Sequence, residues 1–93
     1  MKVRWLDQAV KDLKAVRAYI ARDNPSAAAG VAQRIRDAVK ILNDYPAAGR
    51  AGRVPNTREL IVAGTPYILP YRVRAENVEI LRVLHGAQQW PES

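Results

Sequence analysis

The sequence predicts an α+β fold. A helical hairpin packs on one face of a mainly antiparallel four-stranded sheet, in the chain order β-α-α-β-β-β. Three observations carry this expectation. Two consecutive amphipathic stretches are separated by a short break containing proline. Three runs rich in branched and aromatic residues follow at close spacing. A short alternating run precedes everything else. Elements of these two kinds, segregated along the chain, pack as a helix layer on a sheet layer.

The first element is Lys2–Leu6, where Val3 and Trp5 alternate with Lys2, Arg4 and Leu6, the pattern of a strand. Asp7 follows and is expected to cap a helix. Leu6, Ala9 or Val10, Leu13, Val16 and Ile20 then recur at helical spacing, with Lys11, Asp12, Lys14 and Arg17 on the other side. The run "RDNPSAA" ends this helix. Asn24 caps the next one and Pro25 suits its first position. The second helix shows Ala28, Val31, Ile35, Ala38 and Leu42 on one face, with Arg34, Arg36, Asp37 and Lys40 outside. A link this short makes the pair an antiparallel hairpin.

Residues 45–56, "YPAAGRAGRVPN", have no apolar period and read as a loop. Strands are expected at 57–62, 67–73 and 78–85, joined by links short enough for an antiparallel meander. Pro70 lies inside the second of these and has no N–H for the ladder, so a bulge or break is expected there. The sheet face opposite the helices is expected to be open. The place of the first strand in the sheet order is not fixed by these patterns.

The chain of 93 residues is one domain's worth, 48% apolar and of formal net charge +6. A basic chain favours anionic partners, whether nucleic acid or an acidic protein. All six cations from residue 50 onward are arginine, whose planar fork suits carboxylate and phosphate. A solvated arginine face is the plainer reading of the same residues.

With no cysteine, disulfides and thiolate chemistry are excluded, and with one histidine neither a dedicated transition-metal site nor a cofactor is expected. There is no apolar run of membrane-spanning length and no leader-like start, so the expectation is a cytoplasmic protein without membrane contact.

Few residues can carry chemistry. "GRAGRVP" lacks the Lys-Ser/Thr pair of a phosphate-binding loop and leads into a strand. The serines, Ser26 and Ser93, do not fit a triad. RNA cleavage needs a base, cations for the phosphorane charge and an acid, and Arg58, Arg72, Arg82 and His85 are the right types. Strand alternation sets Arg72 and Arg74 on a face with Ile68 and Pro70. It sets Arg82 with Val78, Ile80 and Leu84, and His85 with Glu79, Leu81 and Val83. Arg82 and His85 would then face opposite ways unless the strand ends early. His85 is either a base or a strand-end residue that touches a partner. Trp90 either folds back over the core or meets a protein partner.

As a set, "YIARDNPSAA", "GRVPNTRELIV", "PYILPYRV" and "VEILRVLHGAQQWP" resemble the RelE/ParE superfamily of bacterial type II toxins, closest to its ParE-like branch. The resemblance covers nearly the whole chain and implies a single toxin domain over 1–93. RelE-like members cut mRNA on the ribosome, whereas ParE-like members inhibit DNA gyrase without nuclease activity.

The RelE-like catalytic cations do not carry over. Glu59 and Ile61 stand where lysines would align. Ile68 follows Tyr67 in place of arginine, and Gln88 stands in place of the late arginine or histidine. His85 matches a histidine of the ParE-like branch. The resemblance therefore implies a toxin that binds gyrase, supports plasmid or genomic stability and performs no chemistry. The alternative is a ribosome-dependent endonuclease built on Arg58, Arg72, Arg82 and His85.

The resemblance also implies a cognate antitoxin, with DNA binding residing in that partner. Its candidate contacts are Leu13, Val16, Tyr19, Ile20, Arg58, Tyr71 and Arg72, where a groove between helices and sheet accepts an amphipathic helix and an added strand, and the antitoxin is expected to cover part of the first helix and the open sheet surface. Candidate target contacts are Arg50, Arg53, Arg74, His85 and Trp90.

Overall fold

The computed structural model describes residues 1–91. In chain order the elements are β1 (Lys2–Trp5), α1 (Asp7–Ala21), α2 (Pro25–Asp44), β2 (Arg50–Ala51), β3 (Arg58–Ile61), β4 (Tyr67–Arg74), β5 (Asn77–Ile80) and β6 (Leu84–His85). The expected order is present, and two two-residue strands, β2 and β6, extend the sheet beyond the four expected. The sheet order is β1-β5-β4-β3-β2, with β6 pairing β4. It is mixed, because β1 runs parallel to β5, with Val3 beside Val78 and Trp5 beside Ile80. The first strand is thus an edge strand and a neighbour of β5 at once.

The ladder leads directly into the first helix. Leu6 N–H donates to the Ile80 carbonyl at 3.0 Å. Leu6 is the residue in the capping position of α1, without a side-chain cap, and Asp7 is already helical. This corrects the expected role of Asp7. Its carboxylate complements the helix N-terminus by charge instead. The second cap is as expected, since Asn24 Oδ1 accepts from Ala27 N–H at 3.0 Å and Pro25 opens α2.

The two helices share the core unequally. α2 buries Ala28, Ala32, Ile35, Ala38, Val39 and Leu42, whereas α1 buries only Ala9. Leu13, Val16 and Ile20 of α1 pack against the core but stay half-buried. The sheet contributes Tyr67, Leu69, Tyr71, Val78, Ile80 and Val83 to the same cluster. Each fully buried large aliphatic side chain stabilises by roughly 1.5–3 kcal/mol.

Pro70 does not interrupt β4. It lies opposite Glu59 in the β3–β4 register, while the bonded pair of that ladder includes Val62 N–H to Tyr67 O at 3.0 Å. Alternation then directs the polar groups of residue 70 away from β3. Its carbonyl accepts from Leu81 N–H at 2.9 Å. The missing donor therefore falls on the β5/β6 side, and there the partner strand departs. Tyr71 pairs with Ile80 and Ile68 with Leu84, so Leu81, Arg82 and Val83 oppose only Leu69 and Pro70, which is a bulge.

That extra residue shifts the alternation. Leu84 shares the open face with Ile68, and His85 shares the helix face with Tyr67, the reverse of the expected pairing of Leu84 with Val78 and Ile80. The open face is also less bare than expected. Ile68, Pro70 and Leu84 are buried there, and the Arg53 guanidinium reaches the Gln88 carbonyl at 3.3 Å, joining the 52–57 loop to the tail.

Candidate functional site

On the face away from the helices, register places Arg4 beside Glu79 and Glu79 beside Arg72. Lys2, Asn77 and Arg74 form the next row. Arg72 Nε donates to Glu79 Oε1 at 2.6 Å. The Glu79 carboxyl is held below the usual carboxylate range, chiefly by this hydrogen bond and then by the charges of Arg72, Arg74 and Arg4. Glu59 lies farther along the same face and is only 1% exposed. It accepts from Arg53 N–H at 2.9 Å and pairs with the guanidinium groups of Arg50 at 3.4 Å and Arg53 at 3.5 Å. A buried carboxylate needs such partners, and these hold the 50–53 segment against the sheet.

On the helix face, Tyr71 and Arg58 fix the chain after α2. The Tyr71 hydroxyl donates to the Pro46 carbonyl at 2.7 Å and accepts from Gly49 N–H at 2.8 Å. Burial pushes its pKa up, opposed by the Gly49 hydrogen bond and the Arg58 charge. Position 49 must be glycine for this docking, because a Cβ there would lie 2.6 Å from the tyrosine ring. Arg58 donates to the Gly49 carbonyl at 2.8 Å and the Ala47 carbonyl at 3.4 Å.

Arg82, on the bulge, reaches α1. Its Nε donates to Asp12 Oδ2 at 2.7 Å and a terminal nitrogen donates to Oδ1 at 3.2 Å. Val83 N–H donates to the same carboxylate at 3.0 Å. Burial alone raises the Asp12 pKa, but the hydrogen bonds from Arg82, Val83 and Gln8 outweigh it and the net shift is downward. Trp90 folds back so that the Arg82 guanidinium carbon lies 5.8 Å from its ring centroid, within cation–π range.

His85 packs edge-on against Tyr67, with ring centroids 5.9 Å apart. Its Nδ1 accepts from Ala87 N–H at 3.1 Å, so the ring proton of the neutral form sits on Nε2. Gln88 closes the turn, accepting from His85 N–H at 2.7 Å and donating its own N–H to the His85 carbonyl at 2.9 Å.

The candidate residues therefore fall into separate groups. Arg72, Arg74 and Trp90 line one groove on the open face, and Arg50 and Arg53 converge on Glu59 nearby. His85 is on the opposite face. Arg58 and the fully buried Tyr71 are engaged by the 46–49 segment; Tyr71 presents no surface, whereas Arg58 stays exposed. Leu13, Val16 and Ile20 form a half-buried row on α1, beside which Tyr19 is 70% exposed. Tyr19 also lies near Tyr67, whose pKa is raised by burial and by this neighbour. Of the four residues of the cleavage alternative, Arg58 and Arg72 line one shallow pocket, but Arg82 and His85 do not join them. Arg58 is tied to the post-α2 loop, Arg72 to Glu79, Arg82 to Asp12 and His85 to its own turn. Sequence reasoning missed the organising acids Asp12, Glu59 and Glu79, and also Arg4.

A helical hairpin over a mixed sheet, with an arginine-rich second face, is the architecture of small toxins of the RelE/ParE class. Comparison with known proteins agrees. The family described as "ParE toxin of type II toxin-antitoxin system, parDE" matches residues 3–90. A Sinorhizobium fredii protein, provisionally named toxin Y4kP, is 50% identical over 91 residues, covering 98% of this chain and 94% of that protein. "Toxin RelE2" of Caulobacter vibrioides is 38% identical over 87 residues, covering 94% and 97% of the two chains. A solved structure described as "Chromosomal ParDE TA system from P. aeruginosa" superposes with a TM-score of 0.81 at 32% identity, over 91% of this chain and 95% of that one. The chain belongs to the ParE toxin family of type II toxin–antitoxin systems. No helix among its described residues is long and apolar enough to cross a membrane.

Proposed function

We propose that this toxin acts in the cytoplasm by binding DNA gyrase, performs no chemistry of its own, and is neutralised by a cognate antitoxin. The observation that carries the reading is the dispersal of its cations. Phosphoryl-transfer catalysis depends on charges converging on the reacting phosphate, and here Arg58, Arg72 and Arg82 are each held by a different internal acceptor. The uncharged or acidic residues Glu59, Ile61, Ile68 and Gln88 at the positions of RelE-like catalytic groups point the same way.

For the antitoxin, the half-buried row Leu13, Val16 and Ile20 with exposed Tyr19 offers an apolar seat for an amphipathic helix. An acidic antitoxin tail suits a chain of net charge +6. Hydrogen exchange in the complex is expected to show protection within residues 9–20. Its absence there and in 57–85 counts against this placement.

The second reading, mRNA cleavage on the ribosome, is favoured by the likeness to proteins named RelE in Caulobacter vibrioides. One pair of assays with purified components separates the two. Inhibition of gyrase supercoiling is the expected result. Cleavage of ribosome-bound mRNA, abolished by H85A or R72A, overturns the binding reading.

A further inference from the structure

The open face carries a groove of about 450 Å³ with Val54 and Pro55 along one wall, Trp90 along the other, and Arg72, Arg74 and Leu81 between them. Its charge is unbalanced. Glu79 holds Arg72 by a 2.6 Å ion pair, whereas the exposed Arg74 guanidinium acts on Glu79 only by its charge, without a direct ion pair. Arg4, on the far side of Glu79, adds a further positive charge. The Trp90 indole N–H is buried and has no acceptor among the described residues. An unpaired buried donor is costly, so the tail is the wall that gains when a ligand brings an acceptor and lets it re-seat.

Apolar walls around an exposed guanidinium without a direct carboxylate contact among the described residues are complementary to a segment that alternates apolar and acidic side chains. A nucleic-acid strand fits less well. Single-strand sites present free aromatic faces for base stacking, and the Trp90 face is already taken by Arg82. The Glu79 carboxylate also interrupts the positive face between Arg72 and Arg4, which opposes a continuous phosphate backbone but tolerates isolated carboxylates. The groove lies on the sheet face away from the Leu13–Ile20 row, so a partner seated on α1 leaves it open.

We propose that this groove receives an acidic, partly apolar peptide segment of the toxin's protein target, with an Asp or Glu carboxylate on Arg74 and an apolar side chain between Pro55 and Trp90. The proposal rests on the binding reading above and names the chemistry of the surface recognised.

The test titrates the full-length toxin with a dye-labelled, capped peptide Gly-Glu-Leu-Glu-Leu-Glu-Gly and, separately, with a short single-stranded RNA. NMR monitors the Trp90 indole N–H. Saturable peptide binding that moves the indole resonance is expected, weakened about tenfold or more in R74E. In the same variant, gyrase inhibition should require about tenfold more toxin, with affinity for the purified antitoxin unchanged. Circular dichroism confirms that the variant is folded.

Failure of the peptide to saturate, equal affinity of R74E and wild type, preference for the RNA, or a matching loss of antitoxin affinity overturns the proposal. Should the wild type bind the peptide through Arg74 yet leave gyrase uninhibited, the groove stands and the choice of gyrase falls.

Discussion

Replacing Asp12 by alanine removes four hydrogen bonds at once, one of them the exposed bond from Gln8 at 3.1 Å within α1. The carboxylate accepts from Arg82 at 2.7 and 3.2 Å and from Val83 N–H at 3.0 Å, and the paired side chains are only 17% and 11% exposed. Hydrogen bonds to charged groups contribute about 1.5–3 kcal/mol each, and losing one partner of a buried pair costs about 3–5 kcal/mol. Arg82 retains access to solvent and to the Trp90 ring, so the expected cost lies at the low end, about 3 kcal/mol. In a domain this size that corresponds to a fall in Tm of about 12–24 °C.

The sign of the pH dependence follows from the depressed pKa of Asp12. Its contribution is full above about pH 4, the unfolded value, and is lost as pH falls through the lower folded value. D12N should remove that acid-side slope. Urea unfolding of wild type, D12A, R82M and the double variant measures the pair, with an expected coupling above about 1 kcal/mol. A D12A loss below about 1 kcal/mol, or zero coupling, refutes the claim that this clamp holds the bulge to α1.

Y71F leaves the Gly49 N–H and Pro46 carbonyl unpaired, so a loss of about 1–3 kcal/mol is expected in urea unfolding. Because burial raises the Tyr71 pKa, its neutral form stabilises the fold below about pH 10, and that contribution is lost as pH rises through the folded value; Y71F should flatten this alkaline limb. E59Q weakens the hold on Arg50 and Arg53, and faster amide exchange is expected at residues 50–53, while α2 exchange stays unchanged. The β4–β5 turn has Ala75 at φ 49° and Glu76 at φ 65°, a two-residue geometry that prefers Asn-Gly. The double variant A75N/E76G should therefore raise stability by about 1–2 kcal/mol, read as an increase in Tm.

Where a local rule and the tertiary arrangement agree, the sequence was informative. Asn24 and Pro25 need only their own helix to act as a cap, and they do. The apolar rows of both helices predict their inward faces because helical periodicity is local. The parallel pairing of β1 with β5 was not legible, since nothing in Lys2–Trp5 encodes a partner more than seventy residues away. The short strands β2 and β6 escape notice because two residues hold no period.

Asp12 illustrates the harder case. It lies among the polar residues of an amphipathic helix, where a solvated carboxylate is the default, and its partner Arg82 is 70 residues away in the chain. Glu59 is the converse. Its place on the open face predicts exposure, but the 50–53 segment covers it. Arginines were visible as a class, but which of them had acids to hold them depended on these two coverings.

Pro70 links the sequence to the candidate surface more closely than any residue in that surface. Its missing N–H lies toward β5 and β6, so an unbroken ladder there would lack a bond. The partner strand instead leaves the sheet for Leu81–Val83. In that departing segment Arg82 and Val83 N–H both meet the Asp12 carboxylate, and the Arg82 guanidinium lies over the Trp90 ring. The same segment also brings Leu81 to the groove floor beside Arg72 and Arg74. In a regular strand, residue 82 would keep the helix-side face of Val78 and Ile80, but Leu84 would join it there and His85 would pass to the open face. The groove is thus a consequence of one residue that cannot donate a hydrogen bond, several ångströms beneath the side chains that line it.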